Sequence, residues 1–522
     1  MLFNSPVFLF LFLPGTVAAY LVLRQFAGPR AVMGMLVGVS LLFYGWWNPL
    51  YVPLLGTLAV FNFQVARAMG AQRLAGRPDR VSWLLTLGIV GDLLALGYFK
   101  YTDFLIDTAN ALLQTNFTLQ YVLLPIGISF FTFQKIAYLV DSSRGEVVEH
   151  DFLEYCFFVS FFPQLLAGPI VKHQEIFSQI KGPWAFAIKP SNFVVGLTIF
   201  IIGLFKKVVL GDNFAPTANS MFTAAAAGEP LDFFLAWQGV LAFKFQLYFD
   251  FCGYSEMAIG AARLFGVQLP LNFNSPYRAL NIVDYWRRWH MTLSRFLRDY
   301  IYIPLGGNRT GIPRLYLNLL ITMAVSGLWH GAAWHFVLWG TLQGVGMVLN
   351  HAWRLVWRPI HSWWSHTVAR LVTFFALGML LVLYRAPSMD VALRVYRGMV
   401  NLPAPWHDAL GPLGELMRWL GARFDGPPVS SDQLTLVAWL IVWIAVVWFV
   451  PNTQQLLARW HPAFNYGVAE RERDLPLLAR FGQLAPRLEW RPNVASAVYV
   501  GVLAALAFLS LRHVSEFLYF KF

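Results

Sequence analysis

The sequence predicts an all-α polytopic membrane protein, and three observations carry that prediction. Of its 522 residues, 57% are hydrophobic and 13% charged, the latter about half the roughly 25% expected of a soluble chain. Apolar stretches of about 20 residues, the length a helix needs to cross the hydrocarbon, recur from end to end. The remaining charges fall mainly in short gaps between those stretches, where Lys and Arg orient spans and meet anionic headgroups. So little polar surface excludes a cytosolic enzyme, a disordered chain and a secreted disulfide scaffold. The net charge of +12 is not gathered on a hydrophilic domain, so it does not point to nucleic acid. Cys156 and Cys252 lie far apart in apolar sequence and give neither a disulfide framework nor metal-ligand spacing.

The first span is expected over 6–23. Ser5 to Leu23 is apolar for longer than a signal-peptide core and has no Lys or Arg before Arg24, so it reads as a retained span. Further spans are expected near 31–47, 50–66, 82–99, 121–140, 152–171 and 192–211, each bounded by charge, Pro or Gly. The stretch 232–260 is one long or broken helix and 315–350 holds two spans. With 367–385, 434–450 and 495–511 these make about a dozen crossings.

Arg24 and Arg30 flank the first gap, and Arg67, Arg73, Arg77 and Arg80 the third, whereas Trp47-Asn48-Pro49 in the second carries no charge. The positive-inside rule makes the first and third gaps cytoplasmic and places the N-terminus outside. A basic loop over 452–494, with Arg459, Arg471, Arg473, Arg480, Arg487 and Arg491, reads as cytoplasmic, which puts a loop over 386–433 and the C-terminal tail on the outer, periplasmic side. No hydrophilic block is long enough for a soluble catalytic domain. Residues 1–522 therefore read as a single integral-membrane domain whose chemistry lies within or beside the membrane.

Two places are candidates for that chemistry. Near 262–314 the hydropathy breaks into PLNFNSPYRALNIVDYWRRWHMTLSRFLRDYIYIPLGGNR, which predicts interfacial or re-entrant helices. Winding 284–300 as one helix, at about 100° per residue, gathers Arg287, Arg288, Arg295, Arg298 and Asp299 on one face. Trp286, Trp289, Leu293, Phe296 and Tyr300 lie on the other, and His290 sits at the border. One reading is a helix whose arginines anchor to headgroup phosphates. The other makes them a guide for an anionic ligand such as the phosphates of coenzyme A, since the planar guanidinium makes paired charge-assisted hydrogen bonds.

The second place is LLITMAVSGLWHGAAWHFVLWG, which sets His330 and His335 deep in apolar sequence, where an ionisable group is costly and suspected of function. Gly327 and Gly331 remove bulk beside His330, so a ligand or another backbone can approach it. A neutral imidazole there can take a proton from a hydroxyl and pass it on. The alternative is a helix-to-helix hydrogen bond, the reading favoured for His335. Asp250, with Glu256 in QLYFDFCGYSEMAIG, either holds the core in register or orients a histidine from behind. A metal held by His290, His330 and Asp250 would have no local ligand spacing behind it.

The runs DYWRRWHMTLSRFLRDYIYIPLGGNR, GLWHGAAWHFVLWG, QLYFDFCGYSEMAIG, FFPQLLAGPI and LLPIGISFFTFQ together resemble the membrane-bound O-acyltransferase superfamily, in the bacterial branch typified by the membrane component of alginate O-acetylation. The likeness runs from MLFNSPVFLFLFLP to FLYFKF and is weakest over 386–433 and 452–494. It implies a ring of helices around a central funnel or tunnel, with both histidines near its constriction. It makes His330 of the WHG motif the central catalytic residue and His290 of the RRWH motif the second. Arg287, Arg288, Arg295 and Trp329 become candidates for binding the donor or acceptor. The implied donor is acetyl-coenzyme A, a substrate and not a bound cofactor. The implied setting is the bacterial inner membrane, with a periplasmic serine-hydrolase-like (SGNH) acetyltransferase as partner and a polysaccharide as acceptor.

The mechanism expected on this basis is direct acyl transfer. His330 acts as general base, His290 orients or polarises a substrate, and backbone N–H groups near Gly327 or Gly331 meet the oxyanion. Alginate leads as the polymer, followed by cellulose, peptidoglycan and other exopolysaccharides, with D-alanylation of teichoic acid more distant. A transporter without chemistry is the rival from another class. It would show paired, repeated halves with discontinuous helices, and the sequence has no such symmetry. A scaffold for the partner is the third reading.

Overall fold

In the computed structural model, residues 1–147, 151–166, 168–309, 311–357, 362–467, 489–511 and 518 are described. Nearly every apolar stretch among them is helical. Among the described residues, strands are confined to one short parallel pair, Asn401–Pro403 beside Arg423–Gly426. Seven helices among these residues are long and apolar enough to cross a membrane, and two shorter ones, Pro29–Gly45 and Val494–Leu509, are also apolar. The protein is an all-α, multi-pass membrane protein.

The chain enters through a π-helical turn, Phe8–Phe12, and runs through α1 (Leu13–Phe26), α2 (Pro29–Gly45), α3 (Tyr51–Leu74) and α4 (Pro78–Leu96). Pro29 and Pro78 occupy first helical positions, where a missing N–H costs nothing. A π-helical turn, Gly97–Tyr101, carries α4 into α5 (Thr102–Leu113). The span expected over 121–140 starts late. Pro125 and the left-handed Gly127 (φ +79°) delay α6 to Ile128–Arg144. The span expected over 152–171 does not form. Phe161 leaves helical geometry (ψ 113°), splitting the stretch into α7 (Phe152–Ser160) and α8 (Phe162–Leu165), the latter with Pro163 in its first turn. A short α9 (His173–Ile180) follows.

Next, α10 (Pro190–Phe205) continues through a π-helical turn, Lys206–Gly211, into α11 (Asp212–Ala227), well past the expected end at 211. The stretch over 232–260 is one unbroken helix, α12 (Phe233–Leu264), buried from Gln238 to Leu264 and so the axis of the bundle. It packs on α10 through reciprocal glycines. A Cβ at Gly203 would lie 2.6 Å from the Gly253 carbonyl oxygen, and one at Gly260 would lie 2.6 Å from that of Gly196. Small residues at these four positions let the backbones touch, the usual basis of helix association where lipid removes the hydrophobic drive.

Two short helices, α13 (Ile282–Trp286) and α14 (Met291–Leu297), precede the hairpin α15 (Ile312–His330) and α16 (Trp334–Val356), which resolves 315–350 into its two spans. Beyond them α17 (Trp363–Arg385), the amphipathic α18 (Met389–Met399) and the helix Ser431–Phe449 follow. In the loop expected over 452–494, Arg471, Arg473, Arg480 and Arg487 lie outside the described residues. Its described beginning packs beside the motif segment, where Arg263 donates to the Trp460 carbonyl at 3.0 Å and to that of His461 at 2.5 Å.

Ionic contacts identify the two faces. Arg24 donates to the carbonyls of Phe186 (3.3 Å) and Pro183 (3.2 Å), and Arg30 pairs with Asp151 at 2.8 Å. The arginine-bearing gaps and the 181–188 connection thus share one basic face. On the opposite face Tyr51 O–H donates to the Leu123 carbonyl at 2.8 Å, joining the uncharged second gap to the segment before α6.

Candidate active site

The predicted continuous helix over 284–300 is absent. It breaks between α13 and α14, where His290 takes a left-handed backbone (φ 41°, ψ 54°), and a π-helical turn, Arg298–Tyr302, follows. A non-glycine residue persists there only when its surroundings fix it, and those surroundings are specific. Asn272 Oδ1 accepts from the Thr292 O–H at 2.9 Å and its N–H at 3.4 Å, and lies 3.0 Å from His290 Nδ1. An oxygen already accepting two donors sets Nδ1 as the protonated nitrogen, which places the ring's lone pair on Nε2. The imidazole is fully buried, with its centre 4.8 Å from the Phe251 ring, 6.0 Å from Trp329 and 6.4 Å from Phe130.

Breaking the helix does not scatter the arginines. Arg287, Arg288, Arg295 and Arg298 all line one cavity of about 830 Å³ on the basic face, together with Asn274, Met323 and Thr292. Three of them are anchored. Arg288 pairs with Asp284 at 2.9 Å, and Arg295 grips Glu175 with both ends of its fork at 2.5 and 2.9 Å. Arg298 pairs with Asp299 at 2.7 Å, which Lys172 also reaches at 2.7 Å. Arg287 is exposed to the cavity and has no hydrogen-bond or carboxylate partner among the described residues, so its fork is available to a ligand. Trp329 is not with these arginines.

His330 ends α15 and faces the other way. Its ring is enclosed by Trp329 at 4.9 Å, Trp339 at 5.1 Å and Tyr384 at 5.5 Å. With Trp329 it lines a second cavity of about 360 Å³, bounded by Trp47, Lys100 and residues 123–130 of the opposite face. A crevice of about 10 Å³ behind it is walled by Tyr285, Trp289, Trp339 and Gln343. There the Trp286 N–H donates to Gln343 Oε1 at 3.2 Å. The Trp329 ring stands next to both imidazoles. The two histidines thus occupy the septum between an arginine-lined cavity and a smaller one on the opposite face.

Other expectations resolve against ligand binding. At Gly327 a Cβ would lie 2.2 Å from the Phe336 carbonyl oxygen, and at Gly331 one would lie 2.2 Å from the Phe336 ring. These glycines admit α16, and the Gly331 N–H is spent on the Gly327 carbonyl at 3.3 Å, so no oxyanion donor comes from it. His335 Nδ1 bonds the Leu383 carbonyl at 3.0 Å, a helix-to-helix contact. Asp250 orients neither histidine. It pairs with Lys207 at 2.5 Å and accepts from the Leu518 N–H at 3.1 Å, while Glu256 pairs with Lys206 at 2.7 Å. The residue that orients His290 is Asn272, which sequence reasoning missed; PLNFNSP gave it no more weight than any other loop asparagine. Also missed were Lys100 and Tyr101, although a lysine at the end of an 18-residue apolar run was a visible signal.

Comparison with known proteins identifies the family. Residues 84–384, which contain both histidines and both cavities' principal walls, match the family described as MBOAT, membrane-bound O-acyltransferase. The chain is 42% identical to the peptidoglycan O-acetyltransferase of Helicobacter pylori over 77% of its own length and 80% of that protein. It is 35% identical, over the whole of both chains, to the protein of Azotobacter vinelandii named "Probable alginate O-acetylase AlgI". A more distant likeness, 29% identity over 44% of this chain and 57% of the relative, is to the teichoic acid D-alanyltransferase of Streptococcus thermophilus. With a family match over more than half of its length and a relative matched end to end, the chain belongs to the membrane-bound O-acyltransferase family.

Proposed function

We propose that this protein carries an acetyl group from acetyl-coenzyme A, bound on the cytoplasmic side of the bacterial inner membrane, to an acceptor on the periplasmic side, for O-acetylation of an extracellular polysaccharide. The observation that carries the reading is the placement of His290 and His330 in the septum between the arginine-lined cavity and the smaller cavity opposite. The positive-inside rule makes the basic face cytoplasmic. The nucleotide phosphates then meet Arg287, and the thioester points toward the septum. His330 takes the proton of an acceptor hydroxyl as that oxygen bonds to the acetyl carbon; the C–S bond breaks, and the departing thiolate receives the proton from His330. His290, held by Asn272, orients the thioester. A periplasmic SGNH-type acetyltransferase would take the group onward, since this chain has no hydrophilic block for that step.

Alginate is the first acceptor to test, because the alginate-named relative matches the whole chain. Peptidoglycan is the second, on the higher identity of the Helicobacter protein. Purified protein is incubated with acetyl-labelled acetyl-coenzyme A and each polymer, with and without a purified SGNH-type acetyltransferase. Label reaching either polymer supports the reading, and absence of donor binding defeats it. The donor cavity has its own check. Replacing Arg287 with Ala removes one charge-assisted contact, worth about 1.5–3 kcal/mol, and raises the donor KM about 10-fold or more with kcat nearly unchanged. An unchanged KM would remove Arg287 from the donor site.

A further inference from the structure

His330 can act as a general base only if it is held still. It is the last residue of α15, and the final carbonyls of a helix have no partner within it. Residues at such ends fray unless something binds those oxygens, and an imidazole that drifts by about 1 Å forfeits on the order of 10²-fold in rate.

Two adjacent side chains from another element bind them. Lys100 Nζ donates to the Trp329 carbonyl and, at 3.3 Å, to Ser129 Oγ. The Tyr101 O–H donates to the Leu328 carbonyl at 2.9 Å. Both side chains come from the π-helical turn Gly97–Tyr101. In a regular α-helix successive residues point about 100° apart. The widened turn is therefore the feature that lets neighbours 100 and 101 reach neighbouring carbonyls 328 and 329, and π-turns recur at functional sites for this kind of reason. The charge also matches, since an ammonium at a helix C-terminus meets the negative end of the helix dipole. Lys100 lines the same cavity as His330 and stands 5.9 Å from the centre of the Trp329 ring. An ammonium has three N–H groups, so a third remains after the bonds to Trp329 and Ser129.

We propose that Lys100 and Tyr101 are positioning residues for acyl transfer, clamping the last two carbonyls before His330 and so fixing the imidazole on the septum. This rests on the reading of His330 as the general base. Bonding between elements far apart in sequence would serve stability alone if its loss only lowered the melting point. The test therefore separates kcat from KM. In purified full-length protein assayed with acetyl-labelled acetyl-coenzyme A, Lys100→Met lowers kcat about 10²-fold and leaves the donor KM within twofold. Tyr101→Phe, which removes one oxygen, lowers kcat about 10-fold. Lys100→Arg, which keeps a charged donor, recovers most of the activity. Wild-type kcat in Lys100→Met, or equal losses of kcat and donor affinity, overturns the proposal. Should Lys100→Met fail to purify as a single species, Tyr101→Phe decides: unchanged kcat in that variant also overturns it. A wild-type protein that transfers no acetyl group at all defeats the functional reading instead, so the two failures are distinct.

Discussion

Replacing His330 with Ala abolishes acetyl transfer and leaves the protein inserted and folded. A positioned general base contributes about 10²–10⁴ in rate, and an alanine leaves no second proton acceptor in its place. The rings that enclose it, Trp329, Trp339 and Tyr384, are not bases at neutral pH. Behind the imidazole water has little room to substitute, because the crevice there is about 10 Å³, near the minimum for a single water. The donor cavity lies on the other side of Trp329, so labelled acetyl-coenzyme A binds the variant as it binds the wild type. A His330→Gln variant, which refills the space, is equally inactive, showing that the loss is not caused by a void among the rings. His290→Ala is also impaired, but its defect comes with poorer donor positioning. If His330→Ala still acetylates product, the base is another group. If the partner's acetylation proceeds unchanged, the protein is a scaffold and not the transferase.

Much of this was legible in the sequence because membrane proteins write their fold in composition. Apolar runs of the right length became α1, α2, α4 and the α15–α16 hairpin with their ends near where charge and proline put them, while α3 and α10 begin as expected and run on further. Both histidine motifs went to the septum, and the four motif arginines went to one cavity. What failed, failed for local reasons. Hydropathy cannot see Phe161 stepping out of the helix, because Phe161 and Phe162 are as apolar as the helix before them. Helical winding of 284–300 grouped the right arginines on the wrong premise, since the segment breaks at a left-handed His290 that only Asn272, 18 residues away, makes tolerable. The glycines beside His330 announced a close approach correctly, but the approaching group is the α16 backbone and not a substrate. Lys100 stood out as a lysine closing an apolar run, but its meaning and that of Tyr101 depend on a π-helical turn and on carbonyls more than 200 residues further along.

Asp250 likewise takes its role from a partner distant in sequence. A carboxylate in a span invited a role behind a histidine; the structure gives it Lys207, with side chains 2% and 1% exposed. Removing one member of a buried pair strands the other charge, at about 3–5 kcal/mol, whereas replacing both is often close to neutral. Asp250→Asn is nearly isosteric, so its effect reads the charge and not a cavity. It lowers stability in detergent by about 3 kcal/mol, toward the lower end of that range because Asp212, 26% exposed, still reaches Lys207 at 3.0 Å. Asp250→Asn combined with Lys207→Met recovers most of that loss, since the buried ammonium is then gone and Asp212, 26% exposed, falls back on solvent. Activity follows by a short path. The next residue, Phe251, packs its ring 4.8 Å from the His290 imidazole, so loosening α12 at Asp250 loosens the wall of the septum. The single variant therefore loses kcat as well as stability, and the double variant regains both. A thermal unfolding series on the four proteins decides the matter: a double variant no more stable than Asp250→Asn would mean that Asp250 acts through something other than its pairing with Lys207.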